Sequence, residues 1–279
     1  MRFSLVLATV GRTAEIERFL KSLDAQTNRN FELIVVDQSP DDRLVPVLSR
    51  YKHKMPIVYL RSAPGVSRAR NLGLQHVTGD ILSFPDDDCW YPATLLEQVA
   101  QFFEENPEWD GITGSIVDID GRFSVGRWDP REGAITFLNE WTRSAEASIF
   151  VRRSVVEVIG GFDEELGPGA GTPWMASEGD DLILRALRAG FRFYYNPKFK
   201  IYHPHPVGVF DSRNLKRALM YGQGMGYVLR KHGYPLWFVA YFWLRPLGGA
   251  LLALVFGRLG KARYYWATFI GRLRGWLRF

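Results

Sequence analysis

One cysteine in 279 residues, and no aspartate or glutamate in the last 67, are the scarcities that narrow the reading most. A lone Cys89 excludes an intramolecular disulfide and suits a reducing, cytoplasmic setting. The acid-free stretch, residues 213–279, carries twelve Lys and Arg. Residues 1–212 therefore hold the other 23 of 35 basic groups and all 30 acids, a net of −7. Such segregation points the C-terminal part towards a polyanionic partner. A lipid surface fits better than nucleic acid, because long charge-free apolar blocks do not suit a phosphate groove. Long hydrophobic runs are scarce too. Residues 232–244 and 246–257 are apolar, but Arg245-Pro246 parts them, and neither reaches the roughly 20 residues that span a bilayer. The N-terminal apolar run, about six residues, is too short for a signal-peptide core and reads as a strand. The sequence has no internal repeat and no low-complexity segment.

Against these absences stands a regular alternation. Phe3–Ala8, Phe31–Val36, Ile57–Leu60 and Ile81–Phe84 are short apolar runs. Between them apolar residues recur at helical spacing, first Ile16, Phe19, Leu20 and Leu23, then Leu44, Val47, Leu48 and Tyr51, with Thr13 placed to cap the first helix. This predicts an α/β fold with a mostly parallel, Rossmann-like sheet flanked by helices. Its ligand crevice should gather the strand ends Thr9, Asp37 and Asp86. Further strands are expected at Ile112–Ile119, Ser148–Val151, near Phe191–Tyr195 and at Lys200–His203, around an irregular aromatic stretch at 120–145. A first domain is expected over 1–212 and a basic, aromatic helical tail over 213–279.

Two acidic clusters carry the chemistry. Asp86-Asp87-Asp88 closes the fourth apolar run, and three adjacent carboxylates repel one another unless a cation joins them. A hard divalent ion, Mg²⁺ or Mn²⁺, shared with substrate phosphates is the simplest candidate. In extended chain Asp86 and Asp88 face one side and Asp87 the other, which makes Asp87 the bystander. A solvated acidic turn capping a helix is the plain alternative. The second cluster, Glu178, Asp180 and Asp181, opens a helix, where acids are ordinary dipole partners. The Gly/Pro-rich residues 167–177 before it suit a lid that delivers a general base. His203 and His205 follow a strand and offer imidazole ligands or surface side chains. Trp141 and Trp174 offer either sugar stacking or core packing.

Residues 3–205 resemble the family 2 glycosyltransferases, inverting enzymes of the GT-A fold. The resemblance rests on Leu5-Val6-Leu7-Ala8-Thr9, Glu32-Leu33-Ile34-Val35-Val36-Asp37, the run from Gly65 to Gly73, a D-x-D-like Asp86-Asp87-Asp88, Gly160-Gly161-Phe162-Asp163, and the run from Glu178 to Arg185, in that order. It implies that Ala8, Thr9 and Asp37 hold the nucleoside and that Arg70 and Asn71 sit near ribose and phosphates. It also implies that Asp86, Asp87 and Asp88 bind the nucleotide sugar, with Asp88, Asp86 and His203 as metal ligands. Gly179 stands where the family usually has an aspartate, so the base is left among Asp180, Glu178 and Asp181.

The expected activity is metal-dependent, inverting transfer of a sugar from a nucleotide-sugar donor to a hydroxyl on a glycan or lipid-linked acceptor. The tail, where Tyr264, Tyr265, Trp266, Phe269 and Trp276 alternate with cations, reads as a helix lying on a membrane surface. A packed helical subdomain is its alternative. The expected location is cytoplasmic, peripheral on the inner face of the cell membrane, with no nucleic-acid partner. The rivals are a nucleotidyltransferase, for which Val10-Gly11-Arg12-Thr13 is a poor phosphate loop, and a GT-A-like binding protein that has lost its base.

Overall fold

The computed structural model describes residues 1–204 and 208–278. The chain divides into two compact units, Met1–Phe162 with Leu182–Pro206, and Asp163–Asp181 with Val207–Phe279. The sequence reading places its boundary at residue 212. In the structure the Gly/Pro-rich segment before the second acidic cluster belongs with the C-terminal helices.

The first unit is built on β1 (Phe3–Thr9), β2 (Phe31–Asp37), β3 (Ile57–Arg61), β4 (Ile81–Ser83), β5 (Gly111–Val117), β6 (Gly133–Ala134), β7 (Ile149–Arg152) and β8 (Phe193–Tyr202). They form one sheet in the order β3-β2-β1-β4-β7-β5-β8-β6. The pairs β1–β2, β1–β4, β2–β3 and β5–β8 are parallel, and β7 enters antiparallel between β4 and β5. β1 and β2 are buried at every residue, which is why they read as continuous apolar runs rather than alternating ones. The crossover helices are α1 (Ala14–Asp24), α2 (Val45–Ser49) and α3 (Val66–Leu74), followed by α4 (Leu95–Glu105) and α5 (Arg153–Ile159).

α1 buries Ile16, Phe19, Leu20 and Leu23 as their spacing predicts, although Thr13 makes no side-chain capping bond. α3 lies directly on the sheet because Gly73 has no side chain: a Cβ there would collide with Val6 and crowd Val36. One turn earlier on the same helix, Arg70 is drawn almost wholly out of solvent. The two strands expected near 191–203 are one. β8 runs through Asn196-Pro197 by shifting register against β5 between Thr113 and Ser115. Gly114 leaves the room for this, since a Cβ would meet the Phe199 carbonyl.

α6 (Glu178–Arg188) starts in the second unit and continues into the first. The rest of the second unit is α7 (Ser212–Lys231), α8 (Leu236–Val255) and α9 (Leu259–Leu277). α7 and α9 meet backbone to backbone. A Cβ on Gly222 would lie 2.8 Å from the Thr268 carbonyl, and Cβ atoms on Gly226, Gly271 and Gly275 would collide with the carbonyls of Arg272, Leu219 and Gln223. Both helices thus carry a G-x-x-x-G face, the pattern that permits close helix approach.

The break expected at Arg245-Pro246 does not occur: α8 runs unbroken through Pro246. Proline removes the bond to the carbonyl of residue i−4, here Phe242. That carbonyl instead accepts Arg272 NH1 from α9 at 2.6 Å. With the break bridged, α8 is long and apolar enough, by length and composition, to cross a membrane.

Gly271→Val should force α7 and α9 apart and destabilise the second unit by about 1–3 kcal/mol, the cost of overpacking a close contact. Urea unfolding followed by helical circular dichroism measures it; a wild-type midpoint would show that the glycine contact is not needed.

Candidate active site

Strands β1 and β2 end together at the carboxyl edge of the sheet, where Thr9 pairs in register with Asp37, and β4 stops earlier, at Ser83 opposite Leu5. Chain leaving β4 passes through Phe84 and Pro85 into the three aspartates. Each of these acids is met by a different part of the first unit. Arg70 NH2 lies 3.1 Å from Asp86 Oδ1. Thr9 Oγ1 donates to Asp87 Oδ2 at 2.8 Å. Arg12 spans two acids, Nε to Asp87 Oδ1 at 3.0 Å and NH1 to Asp88 Oδ2 at 2.9 Å. His203 Nε2 lies 3.2 Å from Asp88 Oδ1. Arg18, which stacks on Trp90, donates to the Asp88 carbonyl at 2.8 Å and fixes the turn from behind. Asp87, expected as a bystander, is therefore the link that ties this turn to β1.

The charges respond to this arrangement. Burial at the crevice floor pushes the Asp86 carboxyl up against the pull of Arg70, with Glu146, Asp88 and Asp87 adding repulsion. Its side chain keeps 43% of its surface open, so crevice water moderates the shift without reversing it. Asp87 is raised in the same sense, burial outweighing Arg12 and Thr9. Burial also works against the Asp88 carboxylate, but His203 and Arg12 together hold it down at about 2. His203 is raised in turn, because Asp88 and the Pro204 carbonyl outweigh its burial.

One oxygen each of Asp86 and Asp88 and the Cys89 sulfur lie within 4.8 Å of one another. The Cys89 thiol is pushed well up by burial beside three acids and keeps its proton, so the hard oxygens are the fitting donors. Two carboxylates with an imidazole beside them, in a cluster where two of three acids are pushed towards protonation, fit a divalent cation. Ligation by His203 Nε2 requires that nitrogen to release its proton. His205 lies outside the described residues.

The remaining sequence candidates occupy varied surroundings. Ala8 lies in β1 at the edge of exposure. Asp37 is fully buried, with Oδ1 accepting the Ser39 amide at 2.8 Å and Oδ2 accepting Tyr59 OH at 3.0 Å. Asn71 grips the Gly-Gly-Phe turn: Nδ2 donates to the Phe162 carbonyl at 2.9 Å and Oδ1 accepts the Phe162 amide at 2.7 Å. Gly161 is required there, since a Cβ would strike that same Oδ1. Trp174 stacks on Tyr227 at 3.8 Å, the packing alternative rather than an open sugar platform.

In the second acidic cluster Glu178 is buried, Asp180 is half-buried and Asp181 is fully buried. Asp181 Oδ1 accepts Lys231 Nζ and His232 Nε2, each at 2.8 Å. Reading the sequence missed Arg12, Arg18, Tyr59, Glu146 and His232. Of these only Arg12 carried a signal, the Gly11 turn (φ +70°) that follows β1.

Residues 4–158 match the family described as Glycosyl transferase family 2. An uncharacterized glycosyltransferase of Haemophilus influenzae is 36% identical over 104 residues, covering 37% of this chain and 35% of that protein. A PGL/p-HBAD biosynthesis glycosyltransferase of Mycobacterium bovis is 28% identical over 165 residues, covering 58% of this chain and 63% of its own length. The chain therefore spans about one third to under two thirds of these relatives. Among solved structures, the mannosyltransferase PcManGT from Pyrobaculum calidifontis, in complex with GDP-Man and Mn²⁺, superposes with TM-score 0.64 at 18% identity, covering 98% of this chain and 87% of that one. S. aureus TarS in complex with UDP-GlcNAc gives 0.62 at 16%, covering 94% and 90%. At such identities the likeness is one of fold, and the fold is GT-A.

Asn71→Ala should lower stability by about 1–3 kcal/mol, because it leaves the Phe162 amide and carbonyl without these partners. Thermal unfolding tests this; an unchanged midpoint would show that the turn does not depend on the asparagine.

Proposed function

The chain belongs to glycosyl transferase family 2, and from that premise we propose that it is a metal-dependent, inverting glycosyltransferase acting on a nucleotide-sugar donor and a hydroxyl acceptor. The observation that carries the proposal is the acidic turn at the carboxyl edge of the sheet, three carboxylates compensated by Arg12, Arg70 and His203. Asp86, Asp88 and His203 would hold Mg²⁺ or Mn²⁺, which neutralises the charge that builds on a departing diphosphate. PcManGT with GDP-Man and Mn²⁺, and TarS with UDP-GlcNAc, support a donor of this class.

The chain's own residues then divide the work. Ala8, Thr9 and Asp37 line the nucleoside end, and Asp87 keeps Thr9 in register with the metal turn. Arg70 and Arg12 supply fixed positive charge beside the phosphates. A carboxylate of the second acidic cluster takes the acceptor hydroxyl proton while the acceptor oxygen bonds to the anomeric carbon and the bond to the diphosphate breaks in line. Asp180 and Glu178 are the proposed bases, level with each other, and Asp181 stands behind them because its carboxylate is fully buried. Gly179, in place of an aspartate, favours one other reading, a family member that binds donor without turning it over.

The second unit is proposed to dock on an anionic membrane surface at the cytoplasmic face, giving access to a lipid-linked or surface-polysaccharide acceptor. Trp237, Tyr241, Leu244, Leu251, Leu252 and Val255 form an exposed apolar stripe along α8, within a segment of twelve cations and no acid. This composition suits burial in the headgroup region.

Purified protein offered a panel of nucleotide sugars with Mn²⁺ should release one nucleoside diphosphate. EDTA or Asp88→Ala should reduce the rate by about a hundredfold or more. Donor binding without release would favour the inactive reading, and neither binding nor release would remove the metal–donor reading. The protein should also sediment with phosphatidylglycerol vesicles, less so at high salt, and Trp237→Asp with Leu244→Asp should free it; equal recovery with and without vesicles would refute docking.

A further inference from the structure

In the second unit a lysine and a histidine converge on one buried carboxylate. Lys231 Nζ, at the C-terminal end of α7, donates to Asp181 Oδ1 at 2.8 Å and to Asp163 Oδ2 at 2.7 Å. His232 Nε2 donates to the same Asp181 oxygen. The side chains of Asp181 and His232 are 0% and 2% exposed, so this contact lies in the interior, while Lys231 and Asp163 stay partly open. Two further contacts hold α7 against the same segment. Trp174 stacks on Tyr227, and Gly224 sits so close to Ala176 that a Cβ would strike its carbonyl.

Between Ala176 and the first turn of α6 stands Ser177, at φ +73°. A residue other than glycine holds that left-handed conformation only where its surroundings impose it. The Ser177 carbonyl accepts the Asp181 amide at 3.0 Å, so the strained residue and the gripped carboxylate belong to one turn. Glu178 and Asp180 lie within that turn.

We propose that Lys231 and His232 are positioning residues for sugar transfer: by gripping Asp181 they lock the turn that presents Glu178 and Asp180. The proposal rests on the reading of one of those two acids as general base. Removing a donor leaves a buried carboxylate short of compensation, and the turn that carries it relaxes. Displacing a catalytic group by about 1 Å costs up to about a hundredfold in rate.

The test uses the full chain carrying Lys231→Met or Lys231→Arg, each alone and combined with Asp180→Asn and with Glu178→Gln. Lys231→Met should speed amide hydrogen exchange across residues 177–181. It should also lower kcat by roughly ten- to a hundredfold, with the KM for donor unchanged. Lys231→Arg, which keeps the charge, should restore both. In the background that has already lost the base, Lys231→Met should cost nothing more. Unchanged kcat and exchange in Lys231→Met, with Asp180→Asn or Glu178→Gln inactive, would overturn this inference and leave the base reading intact. Full activity in both acid variants would remove the base reading and the inference with it. Equal losses in every background would mark a merely structural contact and also overturn it. If Lys231→Met does not fold, His232→Asn enters the same cycle.

Discussion

Holding three adjacent carboxylates at the end of a buried strand costs several kcal/mol per charge unless positive groups meet them there. The first unit is arranged around that requirement. Arg70 reaches Asp86 because Gly73 lets α3 lie against β1 and β2. Arg12 reaches Asp87 and Asp88 because the chain turns sharply at Gly11 on leaving β1. His203 arrives from the end of β8 on the far side. Each compensating charge is thus delivered by a different element, and the acidic turn can keep its place only when those elements are correctly assembled. The same compensation falls short at Asp86 and Asp87, whose carboxyls stay pushed up, and that deficit is what a divalent cation would relieve.

The architecture of this unit was legible because its strands are buried on both faces and its helices are amphipathic, so period and run length separate cleanly. The acidic turn was legible because three carboxylates in sequence have few structural uses. Alternation sets Asp87 apart from the Asp86–Asp88 pair, as found, but says nothing of its partners once the chain turns, and it is the turn that aims Asp87 at Thr9 and Arg12. Arg12 faces the acids from a loop and Glu146 from a single 3₁₀ turn, whose placement depends on tertiary contacts that no local pattern encodes. Two strands were expected where β8 is one, and Pro246 was expected to interrupt α8. Both breaks were absorbed by a partner distant in sequence, Gly114 in one case and Arg272 in the other.

The acid-free composition of residues 213–279 carries its own structural consequence. Cations in a segment without carboxylates must find other partners, and five of the twelve here lie over aromatic rings. Arg217, Arg230, Arg245, Lys261 and Arg272 lie over Tyr221, Trp276, Tyr241, Tyr265 and Phe242 at 4.7–5.7 Å. At exposed sites such contacts are worth about 0.5–1 kcal/mol and leave the cation's outer side open to an anion, whereas Arg272 is already committed to the Phe242 carbonyl. A surface built this way offers basic groups that no internal carboxylate already claims, which is the electrostatic requirement for an anionic lipid surface.

Lys231 meets carboxylates instead. It is three-quarters buried beside His232, where an aromatic face would leave an ammonium badly under-compensated, and no acid exists on the tail to pair with it. The carboxylates must come from elsewhere in the chain, and they come from Asp163 and Asp181. Charge segregation visible in the bare sequence therefore explains why residues 163–181 belong with the C-terminal helices rather than with the sheet that precedes them. It also ties the proposed catalytic acids to the tail, so a truncation made to obtain a soluble first domain would remove the groups that hold the acid-bearing turn.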